Sequence, residues 1–301
     1  MTTHRLEGQH IAGRGRLVDY SNLVKLPHTV FAMPFALVGA TLASYRYAVS
    51  GWDVLLILAA FTCARFAAMG FNRIADRAID AKNPRTAMRE IPAGKLSVRE
   101  ATAAVLIASA LFFVCAALLN PLCLYLAPFA LAIILAYSFT KRFTRYAHLV
   151  LGFSLAIAPV GAYLAVAGEW SRPPSALLVL AAAVLCWVAG FDILYSLQDM
   201  EFDRGEKLHS IPAALGARGA LAFSRGLHLL SAASFVALGF ILPELGAGWF
   251  IGAGVIALML AYEQSLVRSD DFSKIDAAFF NINGAISVLF FAIVLTERLL
   301  A

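Results

Sequence analysis

Two charged stretches of this 301-residue chain repeat one spacing of acids. The first, FNRIADRAIDAKNPRT at residues 71–86, sets Asn72, Asp76 and Asp80 four residues apart. The second, FDILYSLQDMEFDRGEKLHSIP at residues 191–212, carries Asp192, Tyr195, Asp199 and Asp203. Asp76 and Asp199 lie 123 residues apart, as do Asp80 and Asp203, so the two stretches are equivalent positions of two halves. Residues four apart share a helix face with Cβ atoms about 5–6 Å apart, so each stretch, read as a helix end, presents a column of carboxylates. Like charges at that spacing destabilise a helix by about 0.2–0.5 kcal/mol per pair, and here that cost is met twice at matching places. Two columns facing each other form a cage for hard cations, and oxygen ligands select Mg²⁺ rather than zinc or copper. Mg²⁺ at carboxylates commonly shares its shell with phosphate oxygens. Arg77, Lys82, Arg85, Lys141, Arg142, Arg204 and Lys207 can then meet the remaining phosphate charge. The plainer reading, a solvated helix end balancing Arg73, Arg77 and Arg204, does not account for the matched pair.

The elements that must carry these columns are apolar. The chain is 61% hydrophobic and 14% charged, with a mean hydropathy of +0.78. Nine charge-poor stretches, at about 28–50, 54–72, 101–119, 121–139, 147–168, 174–198, 219–242, 246–265 and 275–299, each suffice to cross a bilayer as a helix. The spacing therefore predicts an all-α integral membrane protein of nine transmembrane helices around a central cavity. Residues 1–27 form a polar N-terminal segment and 28–301 a single transmembrane domain, with its motifs at 72–80 and 192–203 and cap loops at about 73–100 and 199–218. Lys and Arg fall unevenly, 20 on the N-terminal side of the membrane against Arg46, Arg172 and Arg298 on the other. The positive-inside rule then puts the N-terminus and both acidic stretches in the cytoplasm and the C-terminus outside. The first apolar stretch is too long for a signal-peptide core, and no cleavage is expected. Cys63, Cys115, Cys123 and Cys186 sit in apolar stretches without metal-ligand spacing and read as packing residues, while His28, His148, His209 and His228 read as capping or hydrogen-bonding residues. A Mg²⁺ and diphosphate site at the mouth of an apolar bundle suggests a substrate with an anionic head and a lipid tail.

NRIADRAID resembles the NxxxDxxxD motif, and DILYSLQDMEFD the DxxYxxxDxxxD motif, of the UbiA superfamily of intramembrane prenyltransferases. YSFTKR at residues 137–142 resembles that family's YxxxK element, and Arg65 stands seven residues before Asn72. The resemblance covers essentially the whole chain. It implies that an allylic polyprenyl diphosphate alkylates an aromatic ring with release of diphosphate. By position, Asn72, Asp76, Asp80, Asp199 and Asp203 would hold two Mg²⁺ ions bridged by the diphosphate, with Lys141 on the diphosphate and Arg77, Arg142 and Lys207 as further contacts. Tyr137 and Tyr195 would wall the allylic cation. Asp192, two turns below Asp199, would orient the acceptor or take the ring proton. Arg65, the basic residue inside an apolar span, would meet an acceptor carboxylate, its plain alternative being a buried ion pair with one of the acids.

The chain reads Asn72-Arg73 where many members have Asn-Asp. With DAKNPRTAMREIPAG it looks most like the 4-hydroxybenzoate polyprenyltransferase-like branch, which includes menaquinone enzymes of the futalosine route. The acceptor implied is 4-hydroxybenzoate or a dihydroxynaphthoate, in ubiquinone or menaquinone biosynthesis, at a bacterial or archaeal plasma membrane. The expected partners are the polyprenyl diphosphate, a small aromatic acid and the bilayer; neither nucleic acid nor a protein partner is implied. A cation-coupled secondary transporter would also carry two repeats and intramembrane acids, but its acids belong at the midplane. A family member with a different lipid acceptor is the other alternative.

Overall fold

The computed structural model describes residues 11, 13 and 15–301, apart from the side chains of residues 27, 28, 30, 31 and 277. Arg5 and Arg14 of the charge count, and the side chain of His28, lie outside the described residues. A chain this apolar satisfies its backbone polar groups within helices, and helices account for its regular structure. They are α1 (Arg16–Leu23), α2 (Leu26–Ala43), α3 (Gly51–Lys82), α4 (Val98–Leu119), α5 (Pro121–Thr140), α6 (Ala147–Ala167), α7 (Ser175–Ser196), α8 (Met200–Gly205), α9 (Ile211–Ile241), α10 (Ala247–Leu266) and α11 (Asn283–Leu300). A 3₁₀ turn, Leu197–Asp199, joins α7 to α8, and a π-helical turn, Ala277–Ile282, leads into α11.

Eight helices among the described residues are long and apolar enough to cross a membrane: α3, α4, α5, α6, α7 with its continuation to Gly205, α9, α10 and α11. The first expected span forms α2, which stops at Ala43, seven residues short of its predicted end, and its apolar part is the shorter Ala32–Ala43. Polar contacts hold the chain out of the helix there. Arg298 Nε donates to Ser44 Oγ at 3.0 Å, and Arg46 pairs with Glu244 at 2.6 Å.

α3 departs from expectation in the other direction. It opens on a reciprocal cap between Ser50 and Asp53 and runs 32 residues, ten past the predicted end, so Asp76 and Asp80 stand on the helix. Pro84 ends it, because a residue before proline is pushed to extended backbone, and Asn83 has φ −83° and ψ 117°. The first connection is therefore 83–97, closed by a second reciprocal cap at Ser97 and Glu100. α9 likewise starts early, capped by Ser210, and turns at Gly216, whose φ of 69° suits glycine. The second connection shrinks to 206–210 rather than 199–218.

α2 packs on α3, α6 and α11, and successive contacts close the helices into a ring. α7 is its most enclosed member, with Trp187, Val188, Ala189 and Ile193 at 0% exposure. Trp187 stacks against Phe35 at 5.0 Å and donates from Nε1 to Asn283 Oδ1 at 2.6 Å. Asn283 in turn donates to Glu263 at 2.7 Å, which ties α7, α10 and α11 together in the apolar interior. α6 and α7 approach closely at Gly152, where a Cβ would lie 2.4 Å from the carbonyl oxygen of Leu185.

Candidate active site

The ends of α3, α5 and α7, the 83–97 connection and α8 surround a cavity of about 850 Å³, mouth included. Asn72, Asp76, Asp80, Tyr137, Lys141, Arg142, Asp192, Tyr195, Asp199 and Asp203 all line it. The two acid arms, 123 residues apart in sequence, thus meet at one place.

The first arm is the regular column expected of i, i+4 spacing, since α3 is continuous through it. Asn72 Nδ2 donates to Asp76 Oδ2 at 3.0 Å, one turn away. The second arm is not a single helix. The 3₁₀ turn at Leu197–Asp199 interrupts it and rotates Asp199 and Asp203 relative to Asp192, because three residues rather than 3.6 complete a turn there.

The segment after Pro84 folds back over the cavity. Asn83 Oδ1 accepts the amide of Arg85 at 3.0 Å, the local turn that asparagine makes well, and Thr86 Oγ1 donates to the Asp80 carbonyl at 3.1 Å. Arg85 is thereby aimed at the opposite arm. Its Nε and Nη2 donate to the two oxygens of Asp199 at 2.9 and 2.5 Å, and Nη1 donates to Tyr195 Oη at 3.0 Å. Asn83 Nδ2 adds a donor to Asp199 at 3.0 Å. Arg89, from the same segment, pairs with Asp80 at 2.6 Å. Arg142 lies 3.4 Å from Asp76, and Lys141 lies 4.0 Å from Asp203. Each of the four arm acids therefore has a cation of its own. Burial alone would lower the Lys141 ammonium, but Asp203, Asp199, Asp192 and Asp76 together hold it above the ordinary lysine value.

Asp192 is different: its partner is His148 of α6, with Nδ1 to Oδ2 at 2.6 Å. Tyr195 is also engaged on its ring, with Arg85 at 5.3 Å and Lys25 at 5.9 Å from the centroid and Phe279 stacked at 4.2 Å.

Three expected residues are not brought to the cavity wall. Arg77 is exposed and donates to the carbonyl of Ile74 on its own helix at 2.8 Å. Four-residue spacing from Arg73 rather than Asp76 turns it off the acid face. Lys207 is exposed beyond α8, at φ 56°. Arg65, about two turns below Asn72, donates from Nε to Thr29 Oγ1 at 3.2 Å, and no carboxylate lies within ion-pair distance of it among the described residues. The buried ion pair offered as its plain alternative is absent among the described residues. Arg73 is buried but does not line the cavity; its charge acts on buried Glu90, whose carboxyl burial pushes up and Arg73 draws down.

Asn83 and Arg89 are residues that sequence reasoning passed over, and His148, read as a capping or hydrogen-bonding residue, was not placed at the site. The first two had a signal: they share with Arg85 the segment directly behind a helix-ending proline. His148 had none, because its partner is 44 residues away.

A divalent cation fits these residues. The donors offered by both arms are oxygens, as Mg²⁺ requires. Asp80 Oδ2 and Asp203 Oδ2, one from each arm, are buried without a hydrogen-bond partner among the described residues. The lining holds five carboxylates, Asp76, Asp80, Asp192, Asp199 and Asp203, against the four bases Arg85, Arg89, Lys141 and Arg142. A diphosphate alone would deepen that negative excess, whereas a diphosphate with divalent cations offsets it.

Comparison with known proteins agrees with this geometry. The family model described as the UbiA prenyltransferase family matches residues 32–285. A 4-hydroxybenzoate octaprenyltransferase of Edwardsiella ictaluri is 31% identical over 245 residues, 79% of this chain and 83% of that protein. Among solved structures, a UbiA homolog from Aeropyrum pernix superposes with a TM-score of 0.82 at 39% identity, covering 90% of this chain and 98% of that one. A UbiA homolog from Archaeoglobus fulgidus bound to DMAPP and Mg²⁺ shares the fold at 20% identity, with a TM-score of 0.71, over 94% of this chain and all of that one. The match spans most of the chain and both acid arms, and it replaces the carrier alternative with an enzyme. The chain belongs to the UbiA prenyltransferase family and is a multi-pass integral membrane prenyltransferase.

Proposed function

We propose that the protein transfers a polyprenyl group from polyprenyl diphosphate to an aromatic acid, 4-hydroxybenzoate or a dihydroxynaphthoate, in quinone biosynthesis. The observation that carries this reading is the meeting of two oxygen-only arms, each with a buried unsatisfied carboxylate oxygen, in a cavity ringed by cations. Similarity to the 4-hydroxybenzoate octaprenyltransferase supports the acceptor class. Asn72, Asp76, Asp80, Asp199 and Asp203 hold the metal, two Mg²⁺ ions, which when bound would neutralise charge developing on the leaving diphosphate. Lys141 and Arg142 reach the cavity and contact the diphosphate, and Arg85 and Arg89 join them by exchanging carboxylate for phosphate oxygens. Arg77 and Lys207 face away and serve the positive charge of the membrane surface. Tyr137 presents an electron-rich ring to the allylic cation, in company with Tyr195. Arg65, which lies off the cavity wall and has no acid partner among the described residues, binds the carboxylate of an acceptor that reaches below the metal level. α2 makes the ninth crossing, with the N-terminus and the cavity mouth on the cytoplasmic side and the C-terminus outside, as the Lys and Arg distribution favours.

The test incubates the detergent-solubilised chain with Mg²⁺, geranyl diphosphate and a panel of aromatic acids. Prenylated product is expected with 4-hydroxybenzoate or 1,4-dihydroxy-2-naphthoate, and is lost without Mg²⁺ or with Asp76→Ala or Asp199→Ala. Alkylation of no acceptor, or rates unmoved by both substitutions, would refute the reading.

A further inference from the structure

We infer that His148 is a positioning residue that sets Asp192 as the acceptor of the aromatic-ring proton; this rests on the prenyl-transfer reading above. Asp192 is the one lining carboxylate whose direct partner among the described residues is not an Arg or Lys, and it stands on α7 two turns, about 10 Å, before Asp199, below the level of the metal-holding acids. His148 Nδ1 meets Asp192 Oδ2 at 2.6 Å, and the imidazole is wholly buried. A carboxylate only accepts, so Nδ1 carries the hydrogen of this bond. Nε2 is buried with no partner among the described residues, which suits a lone pair better than a second N–H. The ring thus makes one hydrogen bond and leaves its other nitrogen unsatisfied, a cost without structural return unless the orientation of Asp192 matters.

The backbone is arranged to hold that distance. Gly152 lies one turn beyond His148 on α6, and its Cβ position would fall 2.4 Å from Leu185 O and 3.3 Å from Ala189 Cβ on α7, in the two turns before Asp192. The absence of a side chain at Gly152 lets the two helices approach at the pair. With Oδ2 held by His148, Oδ1 remains for the substrate. As the prenyl C1 to ring carbon bond forms, the C1 to oxygen bond breaks with its electron pair on diphosphate. The ring C–H bond then breaks, its electron pair restores aromaticity, and the proton goes to Asp192 Oδ1 and on to water when product leaves.

Two measurements on the full chain test this. In ¹⁵N-histidine-labelled protein, the His148 resonances, identified by their loss in His148→Asn, should show a protonated Nδ1 that shifts in Asp192→Asn. A protonated Nε2 with a bare Nδ1, or indifference to Asp192→Asn, would overturn the pairing with no reference to turnover. Kinetically, His148→Leu should lower kcat about 10²-fold, the lower end of what a placed proton acceptor contributes, with KM for geranyl diphosphate unchanged. With acceptor deuterated on the attacked ring carbon, His148→Leu should show a primary isotope effect that the wild type lacks. His148→Asn, whose amide nitrogen takes the place of Nδ1, should recover most of the rate. Wild-type turnover with His148→Leu equally fast and free of an isotope effect would overturn this inference alone. Absence of product from the wild type with every acceptor would overturn the prenyl-transfer reading and this inference with it.

Discussion

Removing Arg85 should cost the protein much of its stability, and the cost should be relieved by neutralising Asp199. Arg85 and Asp199 have side-chain exposures of 9% and 11%, so the pair belongs with buried ion pairs rather than surface ones. Arg85→Met deletes both hydrogen bonds to Asp199 and the one to Tyr195. It leaves a buried carboxylate whose remaining donor is Asn83 Nδ2. Breaking one side of such a pair costs about 3–5 kcal/mol, chiefly through the uncompensated charge. At roughly 2–4 °C per kcal/mol, the melting temperature should fall on the order of 10 °C. Asp199→Asn keeps an oxygen for Asn83 and removes the charge, so Arg85→Met with Asp199→Asn should regain at least half of the loss. Thermal unfolding of the purified chain, in metal-free buffer and followed by tryptophan fluorescence, reads both steps. A single variant within about 2 °C of wild type, or a double variant less stable than the single, would show that the contact carries no charge coupling.

Gly152→Ala should lower the transfer rate more than it lowers stability. Relief of the 2.4 Å contact with Leu185 O parts α6 from α7 and stretches the 2.6 Å bond between His148 and Asp192, while overpacking costs about 1–3 kcal/mol, part of it offset by alanine's higher helix propensity; rate and melting temperature measured side by side decide it. Arg89→Met should weaken the cap over the first arm, exposing the 83–97 segment to faster hydrogen exchange, because it removes the part-buried 2.6 Å pair with Asp80. Lys141 has a raised ammonium pKa, so the stability it contributes is fully present below the ordinary lysine value and is lost as pH rises through its higher folded one. The difference in melting temperature between wild type and Lys141→Met should therefore stay flat from pH 7 to 9 and shrink only at more alkaline pH. Trp187→Phe should destabilise by about 1–3 kcal/mol, seen in the same melts, since it leaves Asn283 Oδ1 without its 2.6 Å donor in an apolar interior.

Local chemistry made the first arm readable from sequence, since four-residue spacing on one unbroken helix fixes which side chains share a face. The second arm was readable as a composition but not as a shape. The 3₁₀ turn at Leu197–Asp199 stands where Asp199 is gripped by Arg85 and Asn83, both more than 100 residues earlier. Hydropathy placed the helices yet misplaced several ends, the start of α9 among them. α3 overran its apolar stretch because charged residues on the cavity side are matched there by cations, and α2 stopped early where Arg46 and Ser44 found partners outside the helix. Arg77 and Lys207 show the limit of proximity in sequence, since one turns outward on its own helix and the other leaves the fold after α8. His148 lay beyond reach for the opposite reason: nothing near it in the chain hints at Asp192.

The length of α3 has a consequence for how the enzyme meets its substrate. Thirty-two residues make a rod of about 48 Å, against a hydrocarbon thickness of about 30 Å, so the Asp76 and Asp80 end stands at headgroup height. A diphosphate carried on a lipid tail already rides at that height. Under the polyprenyl diphosphate reading the tail need not be extracted from the leaflet, and the substrate would arrive by lateral diffusion. Turnover should then follow the mole fraction of prenyl diphosphate in the bilayer, so that diluting it with inert lipid slows the reaction at constant bulk concentration.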